Sequence, residues 1–124
     1  MSIPVELAAL EEALGRHDTA YLLTAGDPRP HVGEVFPALV GGAIVLTEPG
    51  RTARRIVVDQ PAVTVMMPPR LKGDYTLIID GDAALTQDGA LRITPTTAVL
   101  HRASSWSHDA PDSECGNDCR PLTG

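Results

Sequence analysis

The sequence predicts a mainly β fold, a small antiparallel or Greek-key barrel of about six strands with helices packed outside it. Three observations carry this expectation. Short β-prone runs recur along the chain: "TAYLLT", "HVGEVFPALV", "AIVLT", "AVTVMM", "YTLIIDGDAALT" and "ALRIT". Turn chemistry such as "AGDPRP", "GG", "EPG" and "QDG" separates them. Helical periodicity is confined to two stretches, so no strand–helix–strand alternation is sustained.

The first element is a helix. In "PVELAALEEALGRH", Leu7, Leu10 and Leu14 recur at helical spacing with Ala13 beside them. Pro4 suits the first turn and Gly15 the exit. A strand over 19–24 follows, then a second over 31–40, where Pro37 suggests an edge or a bulge. Gly41 and Gly42 form a hairpin turn, and 43–47 returns.

"RTARRIVVDQ" (51–60) reads as a short helix with Ile56 and Val57 packing inward and Pro61 ending it. Residues 62–67 are a strand, 68–74 a loop and 75–86 the longest strand. Gly81 in its middle suggests a bulge or a close backbone approach. Residues 90–94 return the chain. "PTTAVLHR" (95–102) stays open: Pro95 would open a helical turn, whereas Thr96, Thr97 and Val99 are β-branched. From 103 to 124 the chain is small, polar and acidic, and reads as a tail without regular structure. The expected division is a barrel domain over 1–102 and a tail over 103–124.

Composition narrows the function. Aromatic residues make up 3% of the 124 residues, namely Tyr21, Phe36, Tyr75 and Trp106, so the core is aliphatic. Few aromatics and a net charge of −6 speak against nucleic-acid partners, which need stacking rings and a basic surface. No apolar run approaches the length of a membrane span, and the N-terminal stretch carries acids where a secretion signal carries bases. The expected location is cytoplasmic.

Charge is uneven. Residues 51–74 hold five basic and two acidic side chains, the one clearly positive segment of the chain. Arg51, Arg54 and Arg55 stand at the expected start of the second helix. Cations there oppose the helix dipole, so their presence wants a reason. A bound anion supplies one, through unpaired N–H groups and the planar guanidinium fork. Thr52 adds a hydroxyl, and Gly50 lets the backbone come close. Arg54 and Arg55 diverge by about 100° on a helix, so one of the two would reach the ligand. Pairing with the surplus carboxylates, or simple solvation, is the other reading.

The order of these pieces resembles the pyridoxamine 5′-phosphate oxidase-like family, the flavin-binding split barrels. The resemblance runs through "AYLLTAGDPRPHVGEV", "GRTARRIVVDQPAVTV" and "YTLIIDGDAAL", over roughly residues 5–100. It implies a six-stranded antiparallel split β-barrel with an N-terminal helix and a short helix after the third strand. It also implies a homodimer with a cofactor, FMN or in some actinobacterial branches a deazaflavin, in a groove at the dimer interface. The family's phosphate-holding positions match Arg51, Thr52, Arg54 and Arg55. Beside that groove, His31 either contacts the flavin ring or phosphate or is a partly buried strand histidine, and Tyr75 either covers one ring face or is a core or interface tyrosine. The resemblance is to small actinobacterial members of unassigned activity. Where the family often has Ser and Lys, this chain has Gly50 and Arg. The C-terminal arginine and histidine motif of true pyridoxamine phosphate oxidases is not found, which speaks against that activity.

Three functions stay open. One is a flavin- or deazaflavin-dependent oxidoreductase acting on a small molecule, since no nucleophile or acid–base constellation is evident. The second is a non-catalytic carrier or sensor of an anionic ligand: flavin, haem or a phosphorylated metabolite. In the third, no cofactor binds, and a metal or redox element works from the tail, where Cys115 and Cys119 follow His101 and His108 without a recognised zinc spacing.

Overall fold

The segment from His31 to Val40 supplies both edges of one sheet. It forms β3 (His31–Val35) and β4 (Pro37–Val40), separated by Phe36 alone. The computed structural model describes residues 1–103. Its other strands are β1 (Ser2–Pro4), β2 (Ala20–Thr24), β5 (Ala43–Leu46), β6 (Ala62–Met67), β7 (Thr76–Leu85) and β8 (Leu91–His101). The order across the sheet is β3-β2-β6-β7-β8-β5-β4, with β1 paired to β8 off this path.

In a flat sheet, six inter-strand spacings would part β3 from β4 by roughly 29 Å. The chain through Phe36 bridges only about 7 Å. The sheet therefore curls until its edges meet at one corner, and the barrel is split between them. Pro37 lies on edge strand β4, where its missing N–H costs no ladder bond.

The interior is aliphatic. Leu22, Val35, Ile44, Val65, Leu77 and Ile93 are among the side chains that line it, with no aromatic ring. Two helices close over it. In α1 (Leu10–Gly15) Leu10 is buried and Leu14 packs against the core. In α2 (Arg51–Asp59) Ala53 and Val57 are buried, and the helix packs on β7 and β2.

Gly81 is both a bulge and a close approach. The β7–β8 register shifts between Asp80 and Gly81, leaving Thr96 as the extra residue between Pro95 and Thr97. A Cβ at Gly81 would stand 2.5 Å from the Thr94 carbonyl oxygen and 2.9 Å from Ile93. The Gly41–Gly42 turn takes positive φ at both residues (58° and 82°), as a two-residue hairpin requires. Between β7 and β8, Thr86 donates to the Asp88 carboxylate and also bonds Ala90. The Thr86 hydroxyl, and then the backbone amides of Ala90 and Asp88, hold this exposed carboxyl below its ordinary range.

Two expectations need correction, and one open reading is decided. Residues 2–4 are a strand and not the start of a helix: they pair with 99–101 at the end of β8, and the helical region begins with a 3-10 turn over Leu7–Ala9. Residues 95–101 continue β8, because the ten-residue β7 offers a partner along this whole length and the bulge absorbs Pro95. The strand count rises from six to eight through β1 and the division at Phe36.

Gly81→Ala is expected to destabilise the fold by about 1–3 kcal/mol in urea unfolding, since the backbone oxygen cannot yield. Gly15→Ala meets nothing within 4 Å and serves as the neutral or stabilising control. Because the folded carboxyl of Asp88 titrates below the unfolded one, its contribution is present above the ordinary carboxylate range and is lost as pH falls from there through the lowered folded value. Thr86→Val should move the Asp88 midpoint up towards the ordinary value, read by NMR titration.

Candidate functional site

The chain leaves β5 through buried Pro49 and turns into α2 at Gly50, whose φ of 94° lies where side chains are strained. The first helical bond runs from the Arg54 amide to the Gly50 carbonyl at 3.2 Å. No side chain caps the helix, and no acid stands in its first turn. Among the described residues, the amides of Arg51, Thr52 and Ala53 have no protein acceptor. Such an N-terminus is a partial positive charge with its donors free.

The side chains divide. Arg51 and Arg55 are exposed, Thr52 and Arg54 half-buried. Among the described residues, the Arg51 and Arg55 side chains have no ion-pair or hydrogen-bond partner, so none of the described carboxylates neutralises them. Arg54 is committed elsewhere: its Nε donates to the Gly89 carbonyl at 2.6 Å, and its guanidinium lies over that glycine. Gly89 sits between β7 and β8 at φ 88°, so Arg54 ties α2 to that turn. Of the two divergent arginines, Arg55 is the one free to meet a ligand. Gly50, Arg51, Thr52 and Arg55 thus share one turn.

The remaining candidates stand apart. His31 pairs with Thr24, whose side chain is buried, so it lies on the inward face at the open end of the barrel. Its Nδ1 is buried without a partner. The loop after β2 brings Gly26 against Ile56 of α2, so His31 is at the same end of the barrel as that helix. Tyr75 precedes β7, whereas Gly89 follows it. Ten residues at about 3.3 Å each put Tyr75 roughly 30 Å from the arginine turn within one chain. Tyr75 instead donates to the Met1 sulfur, and Arg102 lies 4.5 Å over its ring. Ser2 Oγ is 2.9 Å from His101 Nδ1. Cys115 and Cys119 lie outside the described residues. Among the described residues no three His, Cys, Asp or Glu side chains could hold a metal together, and no helix is long and apolar enough to cross a membrane.

Sequence reasoning missed one surface. Leu23, Thr64 and Asp80 form one outward row across β2, β6 and β7. Beside it, Tyr21, Met66, Ile78 and Val99 form an apolar one across β2, β6, β7 and β8. The signal was present in "VMM", "LII" and "AVL", which are apolar at both strand parities.

No family model matches the chain. Two uncharacterised proteins, from Mycobacterium bovis and Mycobacterium tuberculosis, are each 30% identical over 132 residues, covering 93% of this chain and 92% of their own. Among solved structures, a proposed pyridoxamine 5′-phosphate oxidase of Listeria innocua aligns over 76% of this chain and 96% of its own, with TM-score 0.64 and 16% identity. An FAD-binding protein of Mesorhizobium loti aligns over 81% and 95%, with TM-score 0.63 and 14% identity. The FAD-binding protein of Mycobacterium smegmatis aligns over 82% and 100%, with TM-score 0.59 and 14% identity. The chain belongs to one family with the two mycobacterial proteins, and its fold is the pyridoxamine 5′-phosphate oxidase-like split barrel.

Proposed function

We propose that the chain binds a flavin-type cofactor with its phosphate on the Gly50 turn, and serves as an oxidoreductase acting on a small molecule. One observation carries this reading: three helix N-terminal amides and two guanidinium groups, all without a partner among the described residues, stand in a single turn. A phosphate satisfies both at once. The residues therefore fit the group. Two similar structures are described as FAD-binding, which supports a flavin-type ligand. FMN, a deazaflavin and FAD all carry a phosphate that the turn would hold.

In this reading Arg51 and Arg55 neutralise the phosphate and Thr52 donates its hydroxyl. Gly50 leaves open space where a side chain would stand. Arg54 acts indirectly, by fixing α2 against the β7–β8 turn. When bound, the flavin supplies hydride or electron transfer. A second copy covers the apolar outer row, making a homodimer. Such rows on a sheet's outer face mark association surfaces.

A carrier role has its own support. Among the described residues, no acidic or basic side chain is hydrogen-bonded to Arg51, Thr52 or Arg55. Binding without reduction by any donor would favour the carrier.

Absorbance spectra after gel filtration with FMN, FAD, a deazaflavin or haem should show a retained flavin-type band. Loss of every band in the column would refute the site. Arg51→Ala is expected to weaken the retained cofactor at least about tenfold, the worth of one charge-assisted bond. Arg54→Ala should instead lower thermal stability, by about 1 kcal/mol for a part-buried bond. Ile78→Glu should convert a dimer into a monomer in sedimentation velocity; an unchanged mass would move the interface elsewhere.

A further inference from the structure

Far from the arginine turn, the residues that follow α1, the loop before β7 and the end of β8 line an open cavity of about 370 Å³. Small-molecule sites begin at about 300 Å³ and combine apolar walls with a few convergent polar groups. Here Pro69, Leu71, Leu100 and Tyr75 make the apolar lining, and Arg16, Arg70 and Asp74 add charge.

The walls are held in place. His17 sets Nδ1 2.8 Å from the Ala13 carbonyl oxygen and Nε2 3.2 Å from the Tyr75 carbonyl oxygen, and the neutral ring donates to one of the two, according to its tautomer, while lying between α1 and the strand entrance. Arg70 donates to Asp18 through Nε (2.9 Å) and to the Gly15 carbonyl through one terminal nitrogen (2.8 Å). Arg102 covers one face of the Tyr75 ring. A wall fixed in advance loses little freedom on binding.

The charged groups keep bonding capacity. A guanidinium has five N–H donors. Arg16 uses one nitrogen on Glu12, and Arg70 uses two, so each retains donors. Among the described residues, the Asp74 carboxylate has no partner: the one bond of this residue is from its backbone amide to the Leu71 carbonyl. Cations, an anion and an apolar wall therefore face one cavity.

We propose that this cavity binds a small zwitterion with an apolar side chain, of the amino-acid class. Its carboxylate meets Arg16 and Arg70, its ammonium meets Asp74, and its side chain lies against Leu71 and Leu100. The site is independent of the phosphate turn and stands whether or not a flavin binds.

The full chain is titrated with L-phenylalanine, phenylacetate and phenethylamine, by calorimetry and by amide NMR shifts. Phenylalanine is expected to bind and to shift the amides of Leu71, Tyr75 and Leu100. Each one-charge analogue should bind about tenfold more weakly. Asp74→Asn should weaken phenylalanine about tenfold and leave phenylacetate unchanged, while Leu100→Trp fills the cavity and removes both. No shift at millimolar phenylalanine, equal binding of all three probes, or an Asp74→Asn protein that binds phenylalanine as before would overturn the proposal.

Discussion

A single run of chain on both edges of the sheet constrains everything else. With β3 and β4 joined through one residue, the remaining strands must curl to bring the edges together. Curling needs devices, and the sequence supplies them at the bend. The extra residue in β8 opposite Gly81 raises the local twist, and the missing side chain lets β8 press against β7. The buried residues that alternate along β2 and β7 then fill the interior, mostly with aliphatic side chains.

Closure also decides where the two proposed sites lie. The barrel interior is filled by buried aliphatic side chains. Both proposed sites are at the ends. At one end, α2 enters over the barrel with its amides unpaired and its arginines divided between structure and solvent. At the other, α1 and the loop before β7 leave a lined cavity. The two ends differ in chemistry. The first gathers donors in a turn open to solvent, and the second sets mixed charges beside apolar walls.

Much of this was legible in the residues. The strand at 62–67 carries its own pattern, and the helix after Gly50 ends before Pro61 as its sequence directs. Gly81 announced its bulge because glycine inside a β-branched run has few other uses. At the start of the chain, Leu7, Leu10 and Leu14 reported the helical stretch correctly, whereas Pro4, read as its first turn, belongs to β1. The ladder to 99–101 is non-local, and no local pattern reports it. Residues 95–101 were ambiguous for the same reason: proline speaks locally against a strand, and only the partner β7 overrides it. At the site, sequence brought Gly50, Arg51, Thr52 and Arg55 together because they are neighbours in the chain. It had no means to see that Arg54 reaches Gly89, 35 residues away, or that Tyr75 stands at the other end of a strand.

The aliphatic interior has a spectroscopic consequence. The single tryptophan, Trp106, is outside the described residues, and both tyrosines are only partly buried. Among the described residues there is therefore no indole, and the barrel's interior has no aromatic ring of its own to report on its melting. The barrel's own state is carried by its amides in the far ultraviolet. Any coloured ligand it holds would be read against a nearly empty background.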